Sequence, residues 1–254
     1  MRMIRFLFLL FIPLISEAQK PETYILITWN YHTPQQEKVT EDFVKSAFMP
    51  ALHRAKYKNI GVFKPIPSDT LLFGKRLHVL IPCKDPGALS FIDGLLSDKQ
   101  LRSDGATYLD AAPAQPPFDR KEITVLTAFS GLPRMELPKI NSPLDNRVYE
   151  LRSYEGPTEL KYKAKVSMFN EGDEIGLFRE IGMNGIFYGE VIAGSKMPNL
   201  LYMTAYADMA TRDRLWKEFF NHPKWKQLLT VAHYQNSVSK AEIFLLRPTT
   251  YSDY

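Results

Sequence analysis

The side chains of this chain that could do chemistry lie mostly in its second half, where one histidine stands out. His222 occurs in the run Asn221-His222-Pro223-Lys224-Trp225. Pro223 has no backbone N–H, so the chain should bend there. An imidazole at such a bend could act as a general base or a haem ligand at a pocket mouth. In the other interpretation the bend is a structural corner, where Asn221 caps the next helix and Trp225 fills the core.

Glu150 and Arg152 are the second candidate pair, because they lie two residues apart in a β-rich segment. Side chains alternate along a strand, so both charges should share one face. We expect the opposite face to pack on helices and the two charges to point into the space between two sheets. There they would form an ion pair that fixes how the sheets meet. Two alternatives are that Arg152 holds an anionic substrate group and that the pair is exposed at a sheet end.

Aromatic residues are frequent near these candidates, and their spacing indicates that most of them form core. Some could line a cavity between helices and sheet, because ligand sites are mostly apolar with few polar groups. We expect any ligand to be a small apolar molecule bound in that cavity. The candidate ligand-binding residues are Tyr188, Tyr202, His222 and Trp225.

Other classes of site are not indicated. No His-x-x-x-His or paired Cys/His spacing occurs, so a metal site is not expected. No P-loop or Gly-x-Ser-x-Gly elbow occurs, which argues against nucleotide hydrolysis and serine-esterase chemistry. The formal net charge is only +4 and the basic residues alternate with acidic ones, so no nucleic-acid partner is expected.

The first 18 residues have the pattern of a secretory signal peptide. A short basic start precedes an apolar run from Phe6 to Ile15, and small residues flank a cleavage site before Gln19. That run is too short to span a bilayer. We therefore expect an exported protein, periplasmic or secreted, with no membrane contact after cleavage. The single Cys83 rules out an intrachain disulfide and is expected to be a buried, inert thiol.

Two segments of the chain repeat each other with a fixed offset. The run from Leu215 to Trp225 aligns without gaps on the run from Phe91 to Leu101, 124 residues earlier. At the same offset Gly185-Ile186-Phe187 falls on Gly61-Val62-Phe63. One structural module used twice, packed against itself, explains this pattern.

Hydrophobic periodicity gives both halves the element order β-α-β-β-α-β, which is typical of the ferredoxin-like arrangement. The predicted fold class is α+β, with two tandem ferredoxin-like units packed sheet to sheet as a dimeric α+β barrel, an intrachain pseudo-dimer. Further association of whole chains stays open.

The predicted divisions are a signal peptide (1–18), a degenerate first unit (19–130), a proline-containing linker (131–146) and a second unit (147–254). The predicted strands are 24–29, 60–65, 77–82, 122–129, 147–154, 185–192, 200–206 and 241–247, and the predicted helices are 36–56, with a kink or break at Pro50, then 85–101, 158–180, 211–220 and 225–232.

The second unit resembles the NIPSNAP family of the dimeric α+β barrel superfamily. The resemblance lies in Val148-Tyr149-Glu150-Leu151-Arg152-Ser153-Tyr154, Gly185-Ile186-Phe187-Tyr188, Leu201-Tyr202-Met203-Thr204-Ala205-Tyr206 and the stretch Arg212 to Leu228. It implies the barrel fold but no settled activity. The first unit lacks the signature: at the same offset, Leu26 and Thr28 stand for Glu150 and Arg152, and Asp98-Lys99 for His222-Pro223.

Three functions remain open, and whether the protein is an enzyme is uncertain. The first is a small-molecule-binding or interaction module. The second is a cofactor-independent oxygenase or isomerase acting on a small apolar substrate. The third is a haem-binding or haem-degrading protein, although no cofactor is the main expectation. The resemblance is compatible with each of them, because relatives in the superfamily include all three kinds.

Overall fold

The structure is a computed structural model that describes residues 20–69, 71–83 and 94–254. Its sheet consists of eight strands: β1 (Thr23–Asn30), β2 (Gly61–Pro65), β3 (Arg76–Cys83), β4 (Arg120–Ala128), β5 (Val148–Glu155), β6 (Asn184–Ala193), β7 (Asn199–Tyr206) and β8 (Lys240–Pro248). They pair antiparallel in the order β1-β3-β2-β8-β5-β7-β6-β4 and close into one barrel. The fold is therefore α+β. The predicted signal peptide lies outside the described residues.

The helices of the described part lie outside the barrel. They are α1 (Pro34–Phe43), α2 (Met49–Arg54), α3 (Lys99–Asp104), α4 (Ala106–Leu109), α5 (Glu159–Asn170), α6 (Glu174–Glu180), α7 (Met209–Asn221) and α8 (Pro223–Thr230). None of these is long and apolar enough to cross a membrane. The helix predicted over 85–101 falls largely on residues that the structure does not describe.

Two of the predicted helices are interrupted, each for a local reason. Before Pro50 the chain makes a π-helical turn, Val44–Phe48, in which the N–H of Met49 bonds to the carbonyl of Val44. This wide turn accommodates the ring and missing donor of proline. The helix predicted from Thr158 to Glu180 is two helices, because Asp173 between α5 and α6 adopts a left-handed φ of 57°.

Strand alternation divides the apolar residues into three cores. One core fills the barrel and includes Leu26, Leu80 and Leu151. The other two lie between the barrel wall and the helices, one in each half of the chain. On β1, for example, Ile25 and Ile27 face the helices while Leu26 faces the barrel interior.

The barrel closes because the edge strands of the two halves pair with each other. β2 pairs with β8 and β4 with β6. The segment after β4 then runs along β6, where the N–H of Glu136 bonds to the carbonyl of Ile186 at 3.0 Å. In the same way the segment after β8 runs along β2, with the N–H of Thr249 bonded to the carbonyl of Val62 at 2.9 Å. The expected pair of facing sheets is thus one continuous closed sheet.

A C-terminal fragment should show how much the halves depend on each other. Residues 141–254 contain β5 to β8, so β6 and β8 would lose their partners and present open edges. We expect this fragment to dimerise or to be insoluble, whereas the full chain forms its barrel internally. Sedimentation of both proteins at matched concentrations measures this, and a stable, soluble monomeric fragment would contradict it.

Candidate functional site

The charged pair on β5 faces the helices, which corrects the expectation that it points between two sheets. Tyr149 and Leu151 belong to the barrel core. Glu150 therefore lies on the outer face, where it contacts α7. The alternation was predicted correctly but the two faces were exchanged, because alternation alone does not tell which face is which. The pair links sheet to helix and not sheet to sheet.

Glu150 is fully buried and binds three groups at once. Its Oε1 atom accepts from Nε of Arg152 at 2.5 Å. Its Oε2 atom accepts from Nε of Arg212 at 2.7 Å and from the indole N–H of Trp216 at 2.9 Å. The guanidinium of Arg152 also lies 3.6 Å from the ring centre of Trp216. This geometry satisfies the carboxylate, as a buried charge requires.

The polar network continues from Arg152 into the aromatic core. Nη1 of Arg152 donates to the hydroxyl of Tyr154 at 2.9 Å, and that hydroxyl lies 2.9 Å from the hydroxyl of Tyr202. Burial lowers the pKa of Arg152, but the neighbouring Tyr202, Tyr154 and Glu150 outweigh it and the pKa is raised. The guanidinium therefore stays charged and is fully engaged inside the protein.

Tyr188 and Tyr202 lie side by side beneath the helices. Their rings stack with centroids 5.5 Å apart, and both are at most 1% exposed. Burial raises the pKa of each phenol well above its usual range, so both stay protonated near neutral pH. Phe169 and Phe178 contact both rings, and Trp216 and Phe219 pack on Phe178. The space between helices and sheet is therefore filled by side chains at this point.

His222 is the N-cap of α8. Its Nδ1 atom accepts from the N–H of Lys224 at 3.3 Å, and its Nε2 atom lies 3.6 Å from a carboxylate oxygen of Glu180. The prediction that Asn221 caps this helix is wrong, since its side chain donates back to the carbonyl of Lys217. Asp98, at the aligned position of the repeat, is the N-cap of α3. The repeated feature is thus a helix cap.

Trp225 packs against α7 but does not fill the core. It is half-buried, and its ring lies 4.5 Å from that of Phe219. Of the four candidate ligand-binding residues, only Tyr188 and Tyr202 are in ring contact with each other. The expected pocket around all four is not formed among the described residues.

A cavity remains at one end of the aromatic layer, which is the set of rings packed around Tyr188 and Tyr202 between the helices and the sheet. This cavity of about 380 Å³ lies between α6, the start of β6 and the segment that follows β4, and Tyr188 forms part of its wall. A β-bulge between Gly185 and Phe187 turns Tyr188 to the helix side. Gly185 is required there, since a Cβ atom would lie 2.3 Å from the Tyr188 hydroxyl oxygen.

Apolar and charged side chains share this cavity. Its apolar lining is Leu132, Leu137, Ile175 and Met183. Arg179, Lys139 and Glu136 line it as well, and Arg179 lies 3.7 Å from Glu136. Two cations face one anion, so the cavity suits an apolar molecule that carries one anionic group.

His222 faces other groups of the protein through both of its ring nitrogens. These groups are the N–H of Lys224 and the carboxylate of Glu180. Within residues 20–69, 71–83 and 94–254, no group of three metal-ligating side chains comes together.

The fold places the chain among the α+β barrel proteins, and comparison identifies the family of its second half. Residues 149–253, which lie in the second half of the chain, match the model of the NIPSNAP family. The match spans the predicted second unit and leaves the first unit out. Among curated proteins no match is found.

Solved structures similar to the whole barrel come from other α+β barrel proteins. A candidate monooxygenase from Lactobacillus acidophilus NCFM has a TM-score of 0.56 at 11% identity, over 90% of this chain and 94% of that chain. An anthrone oxidase-like protein has a TM-score of 0.54 at 9% identity, over 91% of this chain and 93% of that chain. A NIPSNAP-like domain protein from Burkholderia xenovorans is 19% identical over 42% of this chain and 89% of that chain, with a TM-score of 0.38. At these identities the first two likenesses show the fold alone.

Arg212 and Trp216 were not singled out with Glu150 by the sequence analysis. They lie four residues apart on α7, so they share one helix face and reach the same carboxylate. The sequence signal for this contact was an arginine and a tryptophan four residues apart on a predicted helix, together with an acidic residue on a predicted strand.

Removing the Glu150 carboxylate should destabilise the protein strongly. In Glu150→Ala, Arg152 would remain buried without its carboxylate, so we expect a loss of about 3–5 kcal/mol in unfolding free energy. The matched control is Glu218→Ala, which removes an exposed helix pair with Arg214 and should change stability by less than about 0.5 kcal/mol. Urea unfolding measures both, and equal effects would contradict the role assigned to Glu150.

His222→Ala should remove a helix cap and leave the fold intact. The expected cost is about 1 kcal/mol, the usual value for a lost N-cap. His233→Ala, at an exposed position without a cap, is the control and should cost less than about 0.5 kcal/mol. Urea denaturation followed by circular dichroism compares them, and loss of folding in His222→Ala would show that the corner does more than cap α8.

Proposed function

We propose that this protein is a small-molecule-binding module and that its ligand occupies the cavity beside Tyr188. The observation that carries the proposal is that the aromatic layer between helices and sheet is filled at one end and open at the other. Phe169 and Phe178 fill the space over Tyr202, and Trp216 packs on Phe178, while the end beneath α6 stays open. A buried apolar substrate pocket has no room over Tyr202, whereas a ligand can bind at the open end.

The lining indicates what kind of ligand this cavity would take. Leucine, isoleucine and methionine side chains would contact an apolar body, and the exposed Arg179 and Lys139 would contact an anionic group. Because Glu136 pairs only loosely with Arg179, at 3.7 Å, an anion can compete for that guanidinium. A small aromatic or aliphatic acid matches these features.

The organisation of the whole chain is also a proposal. We infer two tandem ferredoxin-like units (19–130 and 147–254) joined by the linker (131–146) and forming an intrachain pseudo-dimer. The strand orders β4-β1-β3-β2 and β8-β5-β7-β6 and the aligned caps Asp98 and His222 support this. Export remains a proposal on the pattern of residues 1–18, and further self-association remains open.

Binding can be tested with a defined probe, the anionic aromatic dye anilinonaphthalene sulfonate. We expect saturable dye fluorescence with the full chain. Leu137→Trp places a large ring in the cavity from a partly exposed position and should weaken dye binding by about tenfold or more. The matched control, Leu160→Trp, makes the same change on the exposed face of α5 and should leave binding unchanged. Equal binding in all three proteins would overturn the proposed site.

The oxygenase alternative is favoured by the barrel's likeness to a candidate monooxygenase and an anthrone oxidase-like protein. Oxygen uptake with anthrone as a probe substrate separates it from a binding module. Uptake above the rate without protein, abolished by Leu137→Trp, would favour the oxygenase. Uptake at the background rate together with dye binding fits the module. A Soret band in the purified protein would instead indicate haem.

A further inference from the structure

The interior of the barrel changes from apolar to polar at one end, in a place separate from the cavity beside Tyr188. On β1, inward-facing Leu26 is followed two residues later by Thr28. On β5, Leu151 is followed in the same way by Ser153. A cavity of about 230 Å³ opens at this end, with Leu26, Leu151 and Leu201 among its lining. The cavity thus has an apolar floor and polar walls.

His78 is the central polar group of this cavity. Its side chain is 2% exposed, and its Nδ1 atom lies 2.9 Å from the hydroxyl oxygen of Thr28. Its Nε2 atom is buried and has no hydrogen-bond partner among the described residues. Burial, assisted by the charge of Arg76, lowers the pKa of His78 to about 3. The ring is therefore neutral near pH 7, and one nitrogen of this cavity-lining residue is unsatisfied.

The second half of the chain shows that the barrel does not need a histidine here. Thr28 pairs with His78 across β1 and β3, and Ser153 pairs with Leu201 across β5 and β7. If Thr28 in the first half is matched with Ser153 in the second half, their cross-strand partners match as well. Leu201 then occupies the position of His78. The packing of this end accepts an apolar side chain, so it does not require an imidazole. The buried imidazole nitrogen is costly unless it has a polar partner.

The charged side chains that line the rim balance in number, with Arg76 and Lys196 as cations and Glu122 and Glu242 as anions. The guanidinium of Arg76 donates to Asn30 at 2.8 Å, and the amide of Asn30 donates to Glu122 at 2.9 Å. Lys196 forms an ion pair with Glu242. The rim therefore carries no net charge among its lining residues. What remains for a ligand is neutral: an imidazole nitrogen, hydroxyl groups and an apolar floor.

We propose that this end of the barrel binds a small uncharged polyol of monosaccharide size, with Nε2 of His78 as a hydrogen-bond partner. The hydroxyls of Thr28 and Thr124 line the same cavity and add donors and acceptors. The leucine floor and the ring of Phe244 contact the ligand's C–H surface. A charged ligand is disfavoured, since the balanced cations and anions of the rim give no net attraction for either sign.

Saturation-transfer NMR on the full chain tests this proposal, with glycerol, myo-inositol and D-glucose as probes. We expect at least one probe to receive saturation from the wild type, and His78→Leu to weaken its binding by about tenfold. His78→Leu copies the corresponding Leu201, so folding should survive. If that variant does not fold, Thr124→Phe is used instead. Thr124 lies in the cavity wall at a partly exposed position, so a phenylalanine there narrows the cavity. The change copies Phe244, which occupies the corresponding position on β8.

Two reciprocal controls distinguish polyol binding at His78 from dye binding beside Tyr188. Leu137→Trp should leave the polyol signal unchanged, while His78→Leu should leave dye binding unchanged. Absence of saturation transfer for all three probes would show that the cavity holds solvent only and would overturn the proposal. So would a signal that persists in His78→Leu or, where the second variant is needed, in Thr124→Phe.

Discussion

The buried carboxylate of Glu150 is the interaction on which the second half of the protein depends. It joins strand β5 to helix α7 through Arg212 and Trp216, and it holds Arg152 in the aromatic layer. A buried carboxylate is tolerated only where several donors satisfy it, so these side chains must keep their positions together. The helix cannot slide along the barrel without breaking this set of contacts.

This constraint explains why the aromatic layer is filled and not open. Arg152 stacks on Trp216 and donates to Tyr154, which meets Tyr202. The polar network thus runs through the middle of the layer and fixes the rings on both sides. The cavity beside Tyr188 lies beyond this network. Arg152, for which one interpretation of the sequence was that it holds an anionic substrate group, is engaged by Glu150 and Tyr154 in the structure.

The sequence was sufficient for the strands but not for the orientation of their faces. All eight strands were predicted to within two residues at either end, because β-branched and aromatic runs bounded by turn residues are strong signals. The direction of Glu150 was missed, since alternation is the same whichever face is buried. The alignment at offset 124 added to the error: it set Leu26 against Glu150, although Leu26 faces the barrel interior and Glu150 faces the helices.

The site could be predicted only in part for a related reason. That His222 begins a helix after a bend follows from the proline, but whether its ring faces a cavity depends on α6, which brings Glu180 within 3.6 Å. Such long-range contacts leave no local pattern in the sequence.

The two halves contribute different side chains to the protein. The second half carries the network around Glu150 and the NIPSNAP signature, which the first half lacks. The first half instead contributes His78, Thr28 and Thr124 to the polar end of the shared barrel. A barrel interior belongs to both halves at once, so a change in one half alters a cavity that the other half also lines. The first half therefore supplies His78 and its hydroxyl neighbours to the common interior, while the packing around Glu150 fixes the second half against its helix.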